Sequence, residues 1–455
     1  MNPDFEKLLR SVGPIGAGKS SYIITMGCQM NEHDSEVIAA IVQGMGFNEA
    51  ESAEEADLII INTCAVRKKP EDKVASLLGK YLALKEEKKE LLIAVGGCMP
   101  QQPEAAAYLK KRFHHVNLIF GTHALPRLPA LLQQCSSGRG TVIAIEEDYP
   151  DREGLPAVRR SDFQAWLPIS YGCNNFCSYC VVPHVRGRER SRTPEQVSGE
   201  FARLKQAGYL DITLLGQNVN SYGHDLPDRS SFALLLRTLN EGAGKTRIRF
   251  MTSHPKDLSR ELVQAVAVSH SLCEHFHLPV QSGSNRILKL MNRRYTREHY
   301  LELISMIKTL VPGASITTDL IVGFPGETEE DFKQSLTLVK EARFDNAFSF
   351  IYSPRKNTAA AALDDSLSRS EKEARLTRLN NLQHKISKEI NESLKGSHLE
   401  VLVEGRSKSD PAMQTGRTRT NKLVHFEAGE DLGGSFVTLE ITEARTWSLI
   451  GEVRA

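Results

Sequence analysis

A short segment in the middle of the chain carries three thiols at close, regular spacing. The stretch from Tyr171 to Cys180 reads Tyr-Gly-Cys-Asn-Asn-Phe-Cys-Ser-Tyr-Cys and places Cys173, Cys177 and Cys180 in a C-x3-C-x2-C pattern. Three thiolates are one short of the four ligands that a closed zinc or iron–sulfur site needs. Two interpretations stay open: a zinc site completed by His184, or a four-iron cluster whose fourth iron is free to bind a small molecule.

Three further cysteines lie far apart in the sequence but at equivalent places. Cys28, Cys64 and Cys98 each lie just past a short apolar run that is typical of a β-strand. Because the loops at the carboxyl ends of parallel strands lie on one edge of an open sheet, we expect these thiols to converge on a second metal site. Cys135 and Cys273 share no such pattern, and we interpret them as structural thiols.

The elements around these cysteines predict three folded regions. Short apolar runs alternate with helical patterns over about the first 130 residues, as in an open parallel α/β sheet. Six strand-and-helix units then predict an open (β/α)6 barrel, whose mouth would carry the C-x3-C-x2-C loop. About 60 residues at the end give short strands separated by glycines, which predicts a small β-barrel.

These patterns predict an α/β multidomain chain in four parts. The predicted parts are a flexible extension at residues 1–20, an α/β domain at 21–150, a partial barrel at 151–388 and a β-barrel domain at 389–455. The run from Gly13 to Ser20 matches the phosphate-binding pattern G-x4-G-K-S. A P-loop needs a strand before it, and a charged helical pattern precedes this one, so we assign the run to the extension.

The composition is ordinary for a globular protein, and it limits the classes of function. The 455 residues are 40% hydrophobic and 25% charged, with a formal net charge of +1. RNA binding would therefore need a local basic patch. No signal peptide and no apolar run of roughly 20 residues is evident. We expect a cytoplasmic protein without membrane contact, in which reduced cysteines serve metal binding or catalysis.

The C-x3-C-x2-C segment resembles that of the radical S-adenosylmethionine enzymes. With the upstream Gly27-Cys28-Gln29-Met30-Asn31 and the downstream Arg186-Gly187-Arg188, the chain from about Tyr22 onwards is similar to the methylthiotransferase family of these enzymes. The resemblance implies two iron–sulfur clusters. It implies a [4Fe-4S] cluster with an open iron for S-adenosylmethionine at Cys173, Cys177 and Cys180, and an auxiliary cluster at Cys28, Cys64 and Cys98.

The resemblance also implies an activity and a set of partners. The family members that this chain most resembles add a methylthio group to C2 of N6-isopentenyladenosine at tRNA position 37. In these enzymes S-adenosylmethionine is both the methyl donor and the radical source, and the auxiliary cluster is the sulfur source. Threonylcarbamoyladenosine in tRNA and an aspartate of a ribosomal protein remain alternative substrates. A zinc-bearing RNA-binding protein is the alternative outside the family. The implied partners of a monomeric enzyme are the tRNA anticodon stem-loop, an electron donor such as flavodoxin or ferredoxin, and iron–sulfur assembly proteins.

Four residues are predicted to contact S-adenosylmethionine. Tyr179 lies between two cysteines of the segment, whereas Ser253, Gln281 and Gly323 follow predicted barrel strands, where cofactors bind. Gly323 belongs to a glycine-rich run, Thr318 to Glu327, that resembles the adenine-facing segment of radical S-adenosylmethionine enzymes. Ordinary loop packing is the alternative for each of these four.

Two groups of basic residues suggest contacts with phosphate or carboxylate. Arginines recur at every second position from Arg186 to Arg192, which in an extended segment places them on one face. Near the end, a region that resembles the RNA-binding TRAM domain holds five basic residues and one acidic residue between positions 406 and 422. The predicted RNA-binding residues are Arg406, Lys408, Arg417, Arg419 and Lys422.

Overall fold

The chain folds into two compact units. The computed structural model describes residues 3–66, 68–138, 140–228, 230–408 and 410–453. The first unit comprises Met1–Arg160, Tyr171–Asn174 and Cys180–Glu189. The second unit comprises Ser161–Ser170, Asn175–Tyr179 and Arg190–Ala455.

A parallel sheet organises the first unit. Its strands are β1 (Ser20–Met26), β2 (Asn48–Glu49), β3 (Leu58–Thr63), β4 (Leu92–Gly97), β5 (Leu118–Gly121) and β6 (Val142–Ala144). They pair in parallel in the order β2-β1-β3-β4-β5-β6. The central strands β3 and β4 begin Leu-Ile-Ile-Ile and Leu-Ile-Ala-Val, because a strand that is covered on both faces needs apolar residues at successive positions.

Helices cover both faces of this sheet. They are α1 (Pro3–Val12), α2 (Gln29–Gly44), α3 (Lys68–Glu87), α4 (Pro103–Arg112) and α5 (Leu128–Ser137). A further short helix of this unit, α6 (Val182–Arg186), packs Val185 with Ala65 and Cys98, which follow β3 and β4. A 3-10 helix spans Thr122–Arg127. Alternate residues of β3 enter different apolar clusters, Ile60 on one face and Ile59 and Ile61 on the other. The sheet therefore lies between two apolar cores.

The N-terminal segment differs from the predicted flexible extension at residues 1–20. Met1 and Asn2 lie outside the described residues, but α1 follows them and buries Phe5 and Val12 in the same cluster as Ile41 and Phe47. Phe5 and Val12 are seven positions apart, so they share one helix face. The residues between α1 and β1 then lead directly into the sheet.

The second unit contains six strands that pair in parallel, in two sheets of three strands. The strands of this part of the chain are β7 (Gln164–Pro168), β8 (Ser170–Tyr171), β9 (Arg190–Ser191), β10 (Asp211–Leu215), β11 (Arg247–Phe250), β12 (His275–His277), β13 (Ser315–Val322) and β14 (Asn346–Ile351). The two parallel sheets have the orders β11-β10-β7 and β12-β13-β14, and β8 and β9 form a separate two-stranded sheet. A parallel bridge between Ile248 and Leu272 links β11 to the segment before β12.

Helices pack outside the barrel strands. They are α7 (Pro194–Gln206), α8 (Phe232–Ala243), α9 (Arg260–Ala267), α10 (Asn285–Leu290), α11 (Arg297–Leu310), α12 (Glu329–Ala342) and α13 (Arg369–Glu392). Short 3-10 helices span Val219–Ser221, Pro255–Asp257 and Ala359–Ala362. Helix α7 begins with a capping box, in which Thr193 and Gln196 are bonded reciprocally. No helix in the described ranges has the length and apolar character to cross a membrane.

The C-terminal part is a closed five-stranded barrel. Its strands are β15 (His398–Arg406), β16 (Met413–Thr418), β17 (Leu423–Glu427), β18 (Phe436–Ala444) and β19 (Leu449–Val453). The sequence predicts four of them and treats β16 as part of a basic loop. Buried and partly exposed residues alternate along β16, but the buried residues Gln414, Gly416 and Thr418 are not hydrophobic. The strand therefore lacks the alternating hydrophobic pattern that would predict it.

Candidate active site

The structure brings three of the predicted cysteines to one edge of the sheet in the first unit. Cys28 lies just past β1, Cys64 follows β3 and Cys98 follows β4, and these three strands are neighbours. The amide of Cys98 donates to the carbonyl of Thr63 at 2.9 Å, which ties two of the loops together. The parallel-sheet argument therefore places three thiols side by side at the carboxyl edge.

A buried amide network supports this edge. Asn31 lies in the first turn of α2, and its Oδ1 is 3.3 Å from the Cys28 thiol. The Asn62 amide donates to the Asn31 carbonyl and to Ser35 Oγ, both at 2.9 Å. Gly97 has a φ of 102°, and an added Cβ there would lie 2.4 Å from Asn62 Oδ1. This network fixes the loop after β1 against the loops after β3 and β4.

The Cys98 thiol holds its proton strongly. Burial raises the pKa of Cys98 to about 12, and the neighbouring Cys64 and Cys28 add to this rise. A thiol must lose its proton to bind iron or zinc. Deprotonation of Cys98 therefore has to be driven by the metal that binds at this edge. The Cys64 sulfur already accepts a hydrogen bond from the Val66 amide at 3.3 Å, a contact that suits a thiolate. Three such donors at one edge fit the ligand set of an iron–sulfur cluster.

Three charged residues lie buried beside these cysteines, and the predicted arginine segment includes only Arg186 among them. Asp34 of α2 forms ion pairs with Arg152 at 2.9 Å and with Arg186 at 2.7 Å. Burial opposes ionisation of Asp34, but the two guanidinium groups outweigh it and hold the pKa of this carboxyl below its usual range. Arg186 ends helix α6, so the predicted extended arginine segment does not begin until after Gly187.

The C-x3-C-x2-C segment follows β8. In the first unit, Gly172 has a φ of 73°, and an added Cβ would lie 2.1 Å from the Arg188 carbonyl oxygen, so only glycine fits. The Cys173 amide donates to the Gly187 carbonyl at 3.2 Å. Cys173 is buried and Cys180 is partly exposed. The chain thus folds back on itself immediately before and after the cysteines.

Cys177 and Tyr179 belong to the second unit, where one arginine contacts both. Arg293 is buried, and its Nη1 lies 3.4 Å from Cys177 Sγ and 3.4 Å from the Tyr179 hydroxyl. Its Nη2 donates to the Pro279 carbonyl at 2.6 Å. Arg293 therefore holds a positive charge against Cys177. The fixed spacing of the sequence motif gives no hint of Arg293, which lies more than 100 positions downstream.

Among the described residues, no three histidine, cysteine or carboxylate side chains are gathered as a single metal ion would require. His184, the alternative fourth ligand of a zinc site, is exposed on α6.

The remaining predicted cofactor residues lie on one rim of the barrel. Ser253, Gln281 and Gly323 are buried or partly buried and follow β11, β12 and β13. Gln281 has a φ of 67°, and its backbone bonds to both Asp319 and Ile321. The Gly323 amide donates to Glu327 Oε2 at 2.8 Å, so in this structure it serves the turn before α12.

Polar atoms without partners mark the same rim. Burial lowers the pKa of His254 to about 2, and the nearby Arg293 lowers it further, so its imidazole is a neutral group. Its Nε2 is buried and has no partner among the described residues. Asn218, Asn220 and Ser170, which follow β10 and β7, also carry buried polar atoms without partners in this part of the chain. Such atoms fit a polar ligand with amino, carboxylate and hydroxyl groups, as S-adenosylmethionine has.

Three of the five predicted RNA-binding residues form ion pairs within the second unit, and Arg406 Nη1 donates to the Pro411 carbonyl at 3.0 Å. Arg419 pairs with Glu274 at 2.6 Å, Lys422 pairs with Asp345 at 2.6 Å, and Arg417 pairs with Glu404 at 3.3 Å. Arg406 and Lys408 are exposed.

Three family models match parts of the chain. The Radical SAM superfamily matches residues 167–339, the Uncharacterized protein family UPF0004 matches residues 20–121 and the TRAM domain matches residues 392–453. A tRNA-2-methylthio-N(6)-dimethylallyladenosine synthase of Syntrophomonas wolfei is 52% identical over 95% of this chain and 97% of its own. The synthase of Natranaerobius thermophilus is 50% identical over 96% and 98%. The chain belongs to this synthase family.

Solved structures support the fold of this synthase family member. The radical S-adenosylmethionine methyltransferase TsrM of Kitasatospora setae has a TM-score of 0.54 and covers 86% of this chain and 79% of its own, at 14% identity. The cobalamin-dependent S-adenosylmethionine radical enzyme OxsB has a TM-score of 0.51 and covers 70% and 51%, at 16% identity. At this identity the likeness extends to the fold alone.

Proposed function

We propose that the protein is a tRNA methylthiotransferase that replaces the C2 hydrogen of N6-dimethylallyladenosine with a methylthio group. The observation that carries the proposal is the second set of cysteines. The C-x3-C-x2-C segment accounts for radical chemistry, whereas Cys28, Cys64 and Cys98 give the first unit a separate site that can supply sulfur. The full-length relatives named for this reaction support the same substrate.

Two groups of residues would hold the clusters. Cys173, Cys177 and Cys180 would bind a [4Fe-4S] cluster through three irons, and the edge cysteines would bind an auxiliary cluster. When bound, the clusters and S-adenosylmethionine supply the electron, the radical and the sulfur that no side chain provides. The donor set at the sheet edge fits, because three thiols converge there.

The surrounding side chains bind, orient and exclude water. Arg293 fixes Tyr179 and places a positive charge against Cys177, while its own position is set by the Pro279 carbonyl. Neutral His254 and the amide of Asn220 offer buried polar atoms to S-adenosylmethionine. We propose that Tyr179, Ser253, Gln281 and Gly323 complete this cofactor site from the barrel rim.

We propose that the anticodon stem-loop of tRNA contacts the C-terminal barrel through Arg406 and Lys408. Both side chains are exposed. Arg417, Arg419 and Lys422 are engaged in ion pairs, so their charge is already compensated. The wider setting we propose is a cytoplasmic monomer that takes electrons from a flavodoxin or ferredoxin and clusters from iron–sulfur assembly proteins.

A reaction with defined RNA tests the function. Anaerobically reconstituted protein, S-adenosylmethionine and reductant are incubated with an anticodon stem-loop that carries N6-dimethylallyladenosine, and the RNA is analysed by mass spectrometry. We expect methylthiolation of this RNA and none of a matched stem-loop with threonylcarbamoyladenosine. Preference for the second RNA would overturn the substrate assignment.

Metal analysis of the same protein tests the clusters. Two four-iron clusters predict about eight irons with matching sulfide. One zinc ion per chain with no iron would overturn the enzymatic proposal in favour of the zinc-bearing RNA-binding alternative.

A further inference from the structure

A buried triplet of charges lies within the first unit. Asp34 receives hydrogen bonds from Arg152 at 2.9 Å and from Arg186 at 2.7 Å. The side chains of Asp34, Arg152 and Arg186 are only 2%, 4% and 1% exposed. Arg152 also donates to the Thr122 carbonyl. The triplet is therefore shielded from water and held from several sides.

The charges of this triplet do not balance. Arginine keeps its proton in proteins, so two guanidinium groups and one carboxylate leave one net positive charge in a buried place. The other buried carboxylate of this helix, Glu36, is already paired with Arg159 at 2.7 Å. Burying a charge without an opposite charge is costly, which indicates that an anion belongs here.

Among the described residues, two buried guanidinium nitrogens of the triplet lack a partner, Arg152 Nε and Arg186 Nη1, and Arg186 is the arginine that lies beside the cysteines. Its Nη2 bonds to Asp34, whereas its buried Nη1 has no partner among the described residues. Each guanidinium nitrogen is a strong donor, so a buried one without an acceptor points to an absent acceptor. Asp34 fixes the plane of the fork and thus the direction of Nη1.

The surroundings of Arg186 identify where the acceptor lies. The preceding Val185 packs in one apolar cluster with Val181, Ala65 and Cys98. The Val185 carbonyl accepts a hydrogen bond from Thr122 Oγ1 at 2.6 Å, which anchors this turn. Arg186 is thereby held beside the edge where Cys28, Cys64 and Cys98 converge.

We propose that Arg186, oriented by Asp34, is the counter-ion of the cluster at Cys28, Cys64 and Cys98 and donates a hydrogen bond from Nη1 to its sulfur. This inference rests on the proposed function, which assigns a cluster to those cysteines. A four-iron core of charge two plus on three thiolates carries one net negative charge, which matches the net positive charge of the triplet. Arg186 is thus a positioning residue that favours the reduced, more negative cluster.

The test isolates this cluster in the full chain. Replacing Cys173, Cys177 and Cys180 with Ala leaves a parent protein in which only the edge cysteines can bind iron and sulfide. The reduction potential of the reconstituted cluster is measured by a redox titration followed by electron paramagnetic resonance. Added to this parent are the variants Arg186→Gln, Arg186→Lys and Asp34→Asn, with Arg249→Gln as a control for loss of a buried arginine that pairs with Asp211.

The proposal predicts shifts of opposite sign from two residues that contact each other. Removing the positive charge in Arg186→Gln should lower the potential, because the reduced cluster loses its counter-ion. Removing the negative charge in Asp34→Asn should raise it. Arg186→Lys should remain near the parent, and Arg249→Gln should leave the potential unchanged even if the protein becomes less stable.

Each other result has a defined meaning. A cluster of unchanged potential in both Arg186→Gln and Asp34→Asn would overturn the inference while leaving the proposed function intact. If Arg186→Gln binds no cluster, the sign of the Asp34→Asn shift decides: a rise supports the inference and no change overturns it. A parent that binds no iron at Cys28, Cys64 and Cys98 would overturn the proposed function itself.

Discussion

Among individual residues, the cysteines of the first unit differ in whether other thiols lie nearby, and not in how deeply they are buried. Burial raises the pKa of Cys135 to about 11, close to the value for Cys98. Cys135 lies on α5, and its thiol donates to the Asn117 carbonyl at 3.4 Å. Cys98 instead shares its edge with two further thiols. We therefore assign chemistry to Cys98 and structure to Cys135.

Replacing Cys64 with Ala should separate the two activities of the enzyme. The C-x3-C-x2-C segment is unaffected, so S-adenosylmethionine cleavage should persist, while methylthiolated RNA should fall below detection because the sulfur site has lost a ligand. Both products are measured by liquid chromatography and mass spectrometry. Cys135→Ala is the matched control and should retain both activities. Unchanged methylthiolation in the Cys64 variant would refute the role of this thiol.

His254 makes stability depend on pH in a defined direction. Burial lowers its pKa from the ordinary 6.5 to about 2, so the folded protein excludes a proton that the unfolded chain binds below pH 6.5. This contribution to stability is complete above pH 6.5 and is lost as the pH falls. Relative to a His254→Gln variant, the protein should therefore lose thermal stability between pH 7.5 and pH 5.5. A difference in melting temperature that does not vary with pH would contradict this assignment.

At the scale of elements, helix α13 braces the loop after β13. Arg375 pairs with Glu327 at 2.7 Å, and Glu327 in turn accepts from the Gly323 amide. Gly323 has a φ of 66°, and an added Cβ would lie 2.5 Å from Lys372 Cγ. Lys372 is itself buried and paired with Asp365. The close approach of α13 thus requires glycine at this turn.

A pair of glycine variants measures this brace. Gly323→Ala introduces both an unfavourable φ and a clash with Lys372, whereas Gly313→Ala introduces only the φ, since nothing lies within 4 Å of its added Cβ. We expect Gly323→Ala to lose about 2 kcal/mol more unfolding free energy than Gly313→Ala, because this is a typical cost of inserting a methyl group into a packed site. Chemical denaturation of both gives the difference. Equal losses would show that α13 yields without strain.

The elements of the fold differ in how far the sequence predicts them. Apolar runs predict the buried strands well, and the cysteines after β1, β3 and β4 follow from parallel pairing. The ion pair of Asp34 with Arg186 spans 152 positions and has no periodic pattern, so only the folded chain reveals it. Strand β16 escapes prediction because its inward residues are small or polar. The rest of the site depends on contacts between distant loops, which local patterns do not encode.

Within the second unit, the C-terminal five-stranded barrel packs against the amino ends of the parallel strands β11, β12 and β14. Arg247 opens β11 and donates to the Arg417 carbonyl at 2.7 Å, and Arg249 donates to the Thr418 carbonyl at 2.9 Å. Glu274 and Asp345, which hold Arg419 and Lys422, immediately precede β12 and β14. The predicted cofactor rim lies at the carboxyl ends of these strands. Much of the basic segment therefore serves docking within this unit.

Removing the two exposed cations should weaken RNA binding without harming the fold. The double variant Arg406→Gln, Lys408→Gln should bind the anticodon stem-loop several-fold more weakly. The logarithm of its binding constant should also fall less steeply with the logarithm of salt concentration, by the amount expected for the loss of about one to two phosphate contacts. Fluorescence anisotropy titrations at several salt concentrations measure both quantities. Lys340→Gln, an exposed lysine of α12, is the control. Identical salt slopes for the double variant and the parent would remove these residues from the RNA interface.

We conclude that this chain methylthiolates N6-dimethylallyladenosine in tRNA. Nucleoside mass spectrometry of tRNA from cells with and without the protein tests it most directly. We expect 2-methylthio-N6-dimethylallyladenosine to vanish from cells that lack the protein, N6-dimethylallyladenosine to accumulate, and the Cys64→Ala variant to fail to restore the product. An undiminished methylthio nucleoside in those cells, or a loss confined to threonylcarbamoyladenosine derivatives, would contradict the claim.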